Sequence, residues 1–172
     1  MIDERKMTLD EINAMDKKAF VAAFGSVFEE SPWAAQTAYN KIPFASLQEF
    51  KDNLCQVVDD ASEEAKLNLL RAHPELGSKA KMADASVKEQ RAAGISDSED
   101  SVRSNLLKLN EAYRTKFDFP YIIAVKGLTP ADILENMQTR LNSDRETEFK
   151  ECLSQVMRIA GFRLDDLLEE EE

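Results

Sequence analysis

Histidine, cysteine, glycine and proline are all scarce in this chain, and each scarcity excludes something. The 172 residues include one histidine, two cysteines, five glycines and five prolines. One imidazole and two thiols, Cys55 and Cys152, with no CxxC, do not give the ligand spacing of a zinc or iron site. Two thiols fit a reducing cytosol, with one disulfide between them as the alternative. Long apolar runs are absent as well. No stretch approaches the ~18 apolar residues of a membrane span, and Met1-Ile2-Asp3-Glu4-Arg5-Lys6 lacks the apolar stretch of a signal peptide. Positive charge is short: 22 Lys and Arg stand against 33 Asp and Glu, a net charge of −11. Nucleic acid and membrane are therefore not expected as partners, because both need a basic surface. A bound anion would need a local cation.

What is present reads as helix. Hydrophobic residues are 43% and charged residues 32% of an ordinary globular composition, with length enough for one domain over residues 1–172 and a sizeable core. Few glycines and prolines leave few turns. Thr8-Leu9-Asp10-Glu11 and Ser46-Leu47-Gln48-Glu49 have the spacing of capping boxes. Ser31-Pro32-Trp33 and Thr129-Pro130 set a cap residue before a proline at the first helical position. The predicted fold class is all-α: one compact domain of roughly eight helices, with a short extended segment near Tyr121-Ile122-Ile123-Ala124-Val125. That segment is aromatic and β-branched and follows Pro120, which disfavours regular helix. Its backbone groups need partners in protein, water or ligand. The row Phe20, Phe24, Phe28 and the single Trp33 read as core. An acidic tail from about Asp165 is expected to fray.

Three places could carry chemistry. His73 is the only side chain with an unperturbed pKa between 5 and 8. Pro74 disfavours helix at His73, which puts the imidazole at a helix C-terminus, one turn beyond Leu69 and pointing roughly toward the core. A helix C-terminus favours the cationic form, and a capping histidine is the plain alternative. Ser86-Val87-Lys88-Glu89-Gln90 carries the capping-box spacing at Ser86 and Glu89, so it starts a helix. The same free amides would also suit an anion, with Glu89 and Gln90 as base and amide beside it. Finally, Phe149, Leu153, Val156, Ala160, Arg163 and Leu167 step along one helix face, and Arg163 alone is charged. It is either a structural ion pair, a side chain snorkelling to the edge, or a planar fork directed at a carboxylate ligand.

Together these segments resemble one family over nearly the whole chain. The resemblance rests on Phe24-Gly25-Ser26-Val27-Phe28-Glu29 with Ser31-Pro32-Trp33, on Leu70-Arg71-Ala72-His73-Pro74-Glu75-Leu76, and on Ser86-Val87-Lys88-Glu89-Gln90. It continues through Asn110-Glu111-Ala112-Tyr113, Phe117-Asp118-Phe119-Pro120-Tyr121-Ile122-Ile123, Arg158-Ile159-Ala160 and Arg163-Leu164. The chain resembles the cofactor-independent decarboxylases of 2-oxo-4-hydroxy-4-carboxy-5-ureidoimidazoline (OHCU), which complete urate breakdown to (S)-allantoin. The resemblance implies an all-helical homodimer acting on a small ureide, with no metal or organic cofactor. It implies His73 as catalytic acid, and the chemistry suggests that Glu89 and His73 together engage the substrate hydroxyl and manage its proton. Pro74, Ser86, Val87, Lys88, Glu89, Gln90, the backbone of Tyr121, Ile122, Ile123, Ala124 and Val125, and Arg163 would line the substrate pocket. The stretch between His73 and Ser86 is shorter than in many relatives. The chain ends in Leu-Leu-Glu-Glu-Glu-Glu rather than a Ser-Lys-Leu-type peroxisomal address, so a cytoplasmic bacterial enzyme is expected. Two rival readings remain at this point: another lyase or hydrolase acting on a ureide, and a non-enzymatic helical interaction module.

Overall fold

Local capping chemistry starts most of the helices seen in the computed structural model, which describes residues 6–28, 31–74 and 100–169, with the backbone alone for 100–103. Helix α1 (Leu9–Asn13) opens on a complete capping box: the Glu11 amide donates to Thr8 Oγ1 at 3.1 Å, and the Glu11 carboxylate accepts from the Thr8 amide. Asp16 caps α2 (Lys17–Phe24), Ser62 caps α5 (Glu63–Ala72) and Asp144 caps α8 (Arg145–Leu167), each accepting a backbone amide. Thr129 and Asp132 form the second complete box, at α7 (Pro130–Arg140), with Pro130 at the first turn as expected.

Two starts differ from the sequence reading. Helix α3 (Trp33–Ala38) is capped by Pro32 rather than Ser31, and no side chain closes its end. At α4 (Leu47–Asp59) Ser46 accepts the Glu49 amide at 3.0 Å, but the Glu49 carboxylate reaches one residue further back, to the Ala45 amide. That box is therefore only half closed. A 3-10 turn, Tyr39–Lys41, follows α3, and α6 spans Asp100–Phe117. The described residues thus hold eight α-helices and no strand, with one isolated bridge between Met7 and Leu168.

The buried side chains form one cluster with two aromatic centres. Phe20, Phe24, Phe44 and Phe50 pack edge-on or tilted where α2, α3 and α4 meet, with ring centroids 4.7–5.6 Å apart. Tyr113, Phe117, Phe119 and Tyr121 form the other, beside α6 and α8. Such ring pairs contribute ~0.5–1.5 kcal/mol each beyond the area they bury. Helix α8 packs on α4, α5 and α6 and joins the two centres. Phe28 is buried as expected, whereas Trp33 is half-buried at the edge of the core.

The core-facing line of α8 is rotated by one residue from the predicted one. Its buried members are Glu148, Cys152, Gln155, Val156, Ile159, Ala160, Arg163 and Leu164, while Phe149, Leu153 and Leu167 lie at the edge. Arg163 is not the only polar side chain on this line, because Glu148 and Gln155 share it. Both cysteines are free thiols. The tail does not fray at Asp165. Helix α8 runs to Leu167, where the Met7 amide donates to Leu167 O and the Glu169 amide to Met7 O. Among the described residues no helix is long and apolar enough to cross a membrane.

Candidate active site

His73 stands where the proline predicted it. Helix α5 ends at Ala72, and His73 itself is extended, with φ −70° and ψ 130°. Its position is fixed from two residues upstream. Arg71 Nε donates to the Asp118 carbonyl at 3.2 Å, and Arg71 Nη2 to its carboxylate at 2.5 Å. Asp118 occupies the left-handed region, φ 66°, just beyond α6, a conformation that Asp tolerates better than most residues because of its short polar side chain. The end of α5 is thus tied to the corner from which the chain enters residues 119–125.

Arg163 is a buried side chain of α8. It is 5% exposed, and Nη1 donates to the Val27 carbonyl at 3.0 Å, beyond the end of α2. Its charge acts on His73. Burial and, second, the Arg163 guanidinium lower His73 from its ordinary value near 6.5 to about 3. The helix-end preference for a cation is outweighed here, because desolvation and a neighbouring positive charge both penalise imidazolium. His73 is neutral at pH 7.

Residues 119–125 have no regular secondary structure, and Tyr121, Ile122, Ile123, Ala124 and Val125 are all buried. Protein groups take several of their backbone atoms. Arg140 Nη1 donates to Ile122 O at 2.7 Å, Gln155 Oε1 accepts from the Ala124 amide at 3.0 Å, and Leu128 donates to Val125 O at 3.0 Å. Arg140 also pairs with Glu148, Nε to Oε1 at 2.7 Å, and both side chains are almost fully buried. Tyr113 donates to the same Glu148 oxygen at 2.7 Å, and Arg140 lies over the Tyr121 ring at 4.6 Å. Burial pushes the Tyr113 phenol and the Cys152 thiol up, so both stay neutral beside the ion pair. Tyr121 donates its hydroxyl to Asn136.

Of the residues picked out from sequence, His73 feels the charge of Arg163, and the buried 121–125 segment is held by Arg140 of α7 and Gln155 of α8. Ser86, Val87, Lys88, Glu89 and Gln90 lie outside the described residues. Three polar side chains were not picked out from sequence: Arg140, Glu148 and Gln155. Counting the α8 face one residue earlier would have found the last two. Among the described residues no cluster of side chains suits a metal ion. A separate groove of about 500 Å³ between α4, α5 and the first half of α8 is lined by Cys55, Val58, Lys66, Phe149 and Leu153. It contains none of the residues singled out for chemistry.

The family model for OHCU decarboxylase matches residues 13–165. The chain belongs to the OHCU decarboxylase family. A 2-oxo-4-hydroxy-4-carboxy-5-ureidoimidazoline decarboxylase from Haloferax volcanii is 41% identical over 159 residues, covering 92% of this chain and 95% of that protein. The uric acid degradation bifunctional protein PucL of Bacillus subtilis is 42% identical over 163 residues. That match covers 95% of this chain and 33% of the Bacillus protein, so the chain spans a third of that relative. Crystal structures share the fold. One of (S)-allantoin synthase superimposes with a TM-score of 0.79 at 24% identity, covering 95% of this chain and 54% of that one. One of OHCU decarboxylase in the presence of (S)-allantoin gives 0.71 at 21% identity, covering 91% and 100%.

Proposed function

We propose that this protein decarboxylates OHCU to (S)-allantoin, the last step of urate breakdown, with no metal or organic cofactor. The observation that carries this reading is the 41% identity to the Haloferax volcanii decarboxylase along nearly the full length of both chains. The field of the buried Arg163 on His73 supports it.

The chemistry needs little from the protein beyond orientation and proton handling. In the substrate the carboxyl-bearing carbon also carries a hydroxyl and adjoins a ring carbon–nitrogen double bond. When the carbon–carboxylate bond breaks, its electron pair forms a carbon–carbon double bond, and the ring nitrogen takes up a proton. The enol formed then loses its hydroxyl proton and gains a proton on the adjacent carbon. Delivery to one face gives one enantiomer.

Arg163 would hold the carboxylate or a ring carbonyl. A bound anion offsets the guanidinium field on His73, so proton uptake by the imidazole becomes easier once substrate is in place. Burial, the larger cause, remains, so the anion's own charge beside the imidazole must offset it for His73 to act as the acid. Pro74 and Ser86, Val87 and Lys88 would line the pocket. Glu89 would share the hydroxyl proton, and Gln90 and the 121–125 backbone would bind the ureido and ring amides. We place the enzyme in the cytoplasm as a homodimer. The free thiols of Cys55 and Cys152 suit a reducing compartment.

The test is to generate OHCU in situ from urate and follow (S)-allantoin by circular dichroism. The protein should make the (S) signal appear faster than spontaneous decay, which delivers the proton to either face. A signal that grows at the uncatalysed rate refutes the assignment.

A further inference from the structure

The backbone groups of residues 120, 122 and 124 are all taken by side chains of α7 and α8. Pro120 O accepts from the Cys152 thiol at 3.7 Å, Ile122 O accepts from Arg140, and the Ala124 amide donates to Gln155. Alternate residues sharing one side is the signature of an extended chain. In an extended chain the amide and carbonyl of one residue point the same way, opposite to those of its neighbours. If the 122 and 124 groups point at α7 and α8, those of Ile123 point away from them.

Gln155 is the side chain best placed to enforce this. It is 8% exposed, accepts the Ala124 amide through Oε1, and donates through Nε2 to Glu151 Oε1 at 2.9 Å, one turn back. Its amide plane is therefore held at both ends. We propose that Gln155 is a positioning residue of the decarboxylase: by taking the Ala124 amide on the α8 side, it leaves the Ile123 amide and carbonyl facing away from α8 to engage the substrate. This rests on the reading that the 121–125 backbone binds OHCU. Gln155 does not touch the substrate. It sets the rotation of the segment that does, and so which face of the ring receives the proton.

The test compares Gln155→Met, which keeps the shape and removes the acceptor, with the double variant Gln155→Glu and Glu151→Gln. The double variant keeps the net charge and restores an acceptor at 155 with a donor at 151. Gln155→Asn, too short to reach Ala124, serves as a second loss variant should Gln155→Met fail to fold. Each is assayed well below its melting temperature for kcat, KM and the enantiomer ratio of allantoin. Loss of the acceptor should lower kcat/KM by ~10-fold or more, as misplacement by a fraction of an ångström to an ångström does. It should also raise KM and reduce the excess of (S)-allantoin. The double variant should recover most of the excess. A wild-type KM and enantiomer ratio in the folded loss variants overturns the proposal. So does a double variant as impaired as they are. If the wild type itself does not accelerate (S)-allantoin formation, the functional reading fails, which is a distinguishable result.

Discussion

His73 carries two demands that pull apart, since an acid must hold a proton while this site disfavours one. Its pKa in the folded chain is about 3, against 6.5 for an unperturbed imidazole. Below pH 6.5 the unfolded chain binds a proton that the native state refuses until about pH 3. His73 therefore costs no stability above pH 6.5 and progressively more as pH falls toward 3. His73→Asn lacks this penalty. Between pH 7 and pH 5 its melting temperature should fall less than that of the wild type, and its kcat should be lower by at least ~10²-fold, the lower range for a positioned acid or base. Equal pH slopes in differential scanning fluorimetry, or normal turnover, would contradict the environment or the role respectively. Arg163 is tested by Arg163→Lys. A charge-assisted hydrogen bond contributes ~1.5–3 kcal/mol, so loss of the planar fork should lower kcat/KM by ~10–100-fold with the helical spectrum intact. A variant with unchanged kcat/KM would make Arg163 purely structural. Both residues were legible in the sequence, one by its scarcity and one by its charge on an apolar face. The charge state of His73 was not, because its burial and, second, the field of Arg163, 90 positions away, arise only on folding.

Helix ends were the most legible elements, because a cap is a local bargain between neighbouring residues. Thr8 and Thr129 close the boxes read from sequence, and Asp16, Ser62 and Asp144, not singled out there, cap within their own first turn in the same way. The miss on α8 was a case where distant groups won. Helix α8 turned one residue from its most apolar line because Glu148 is held by Arg140 and Tyr113, and Gln155 by Ala124. No periodicity contains those partners. The Arg140–Glu148 pair gives the element-scale prediction. Removing one member of a buried pair strands the other, at ~3–5 kcal/mol. Glu148→Ala should lose that much in urea denaturation, and Arg140 would no longer hold Ile122 O in a fixed place. A loss below ~1 kcal/mol would mean that water reaches the guanidinium.

Over the whole molecule, the corner at Asp118, the Arg71 clamp and the face of α8 leave residues 119–125 fixed at both ends and along one side. Connecting segments ordinarily tolerate a change of length. This one should not. Adding a single residue between Ile122 and Ile123 would turn Ile123 and Ala124 to the opposite side, as a one-residue slip does in a strand. The helical spectrum should survive such an insertion, while (S)-allantoin formation should drop to the spontaneous rate. An active insertion variant would show that the segment can shift without harm. The length of this stretch, rather than the identity of its side chains, is then the property on which the molecule has least freedom: Tyr121 to Val125 can vary among apolar residues of similar size far more readily than the number of residues between Pro120 and Lys126 can change.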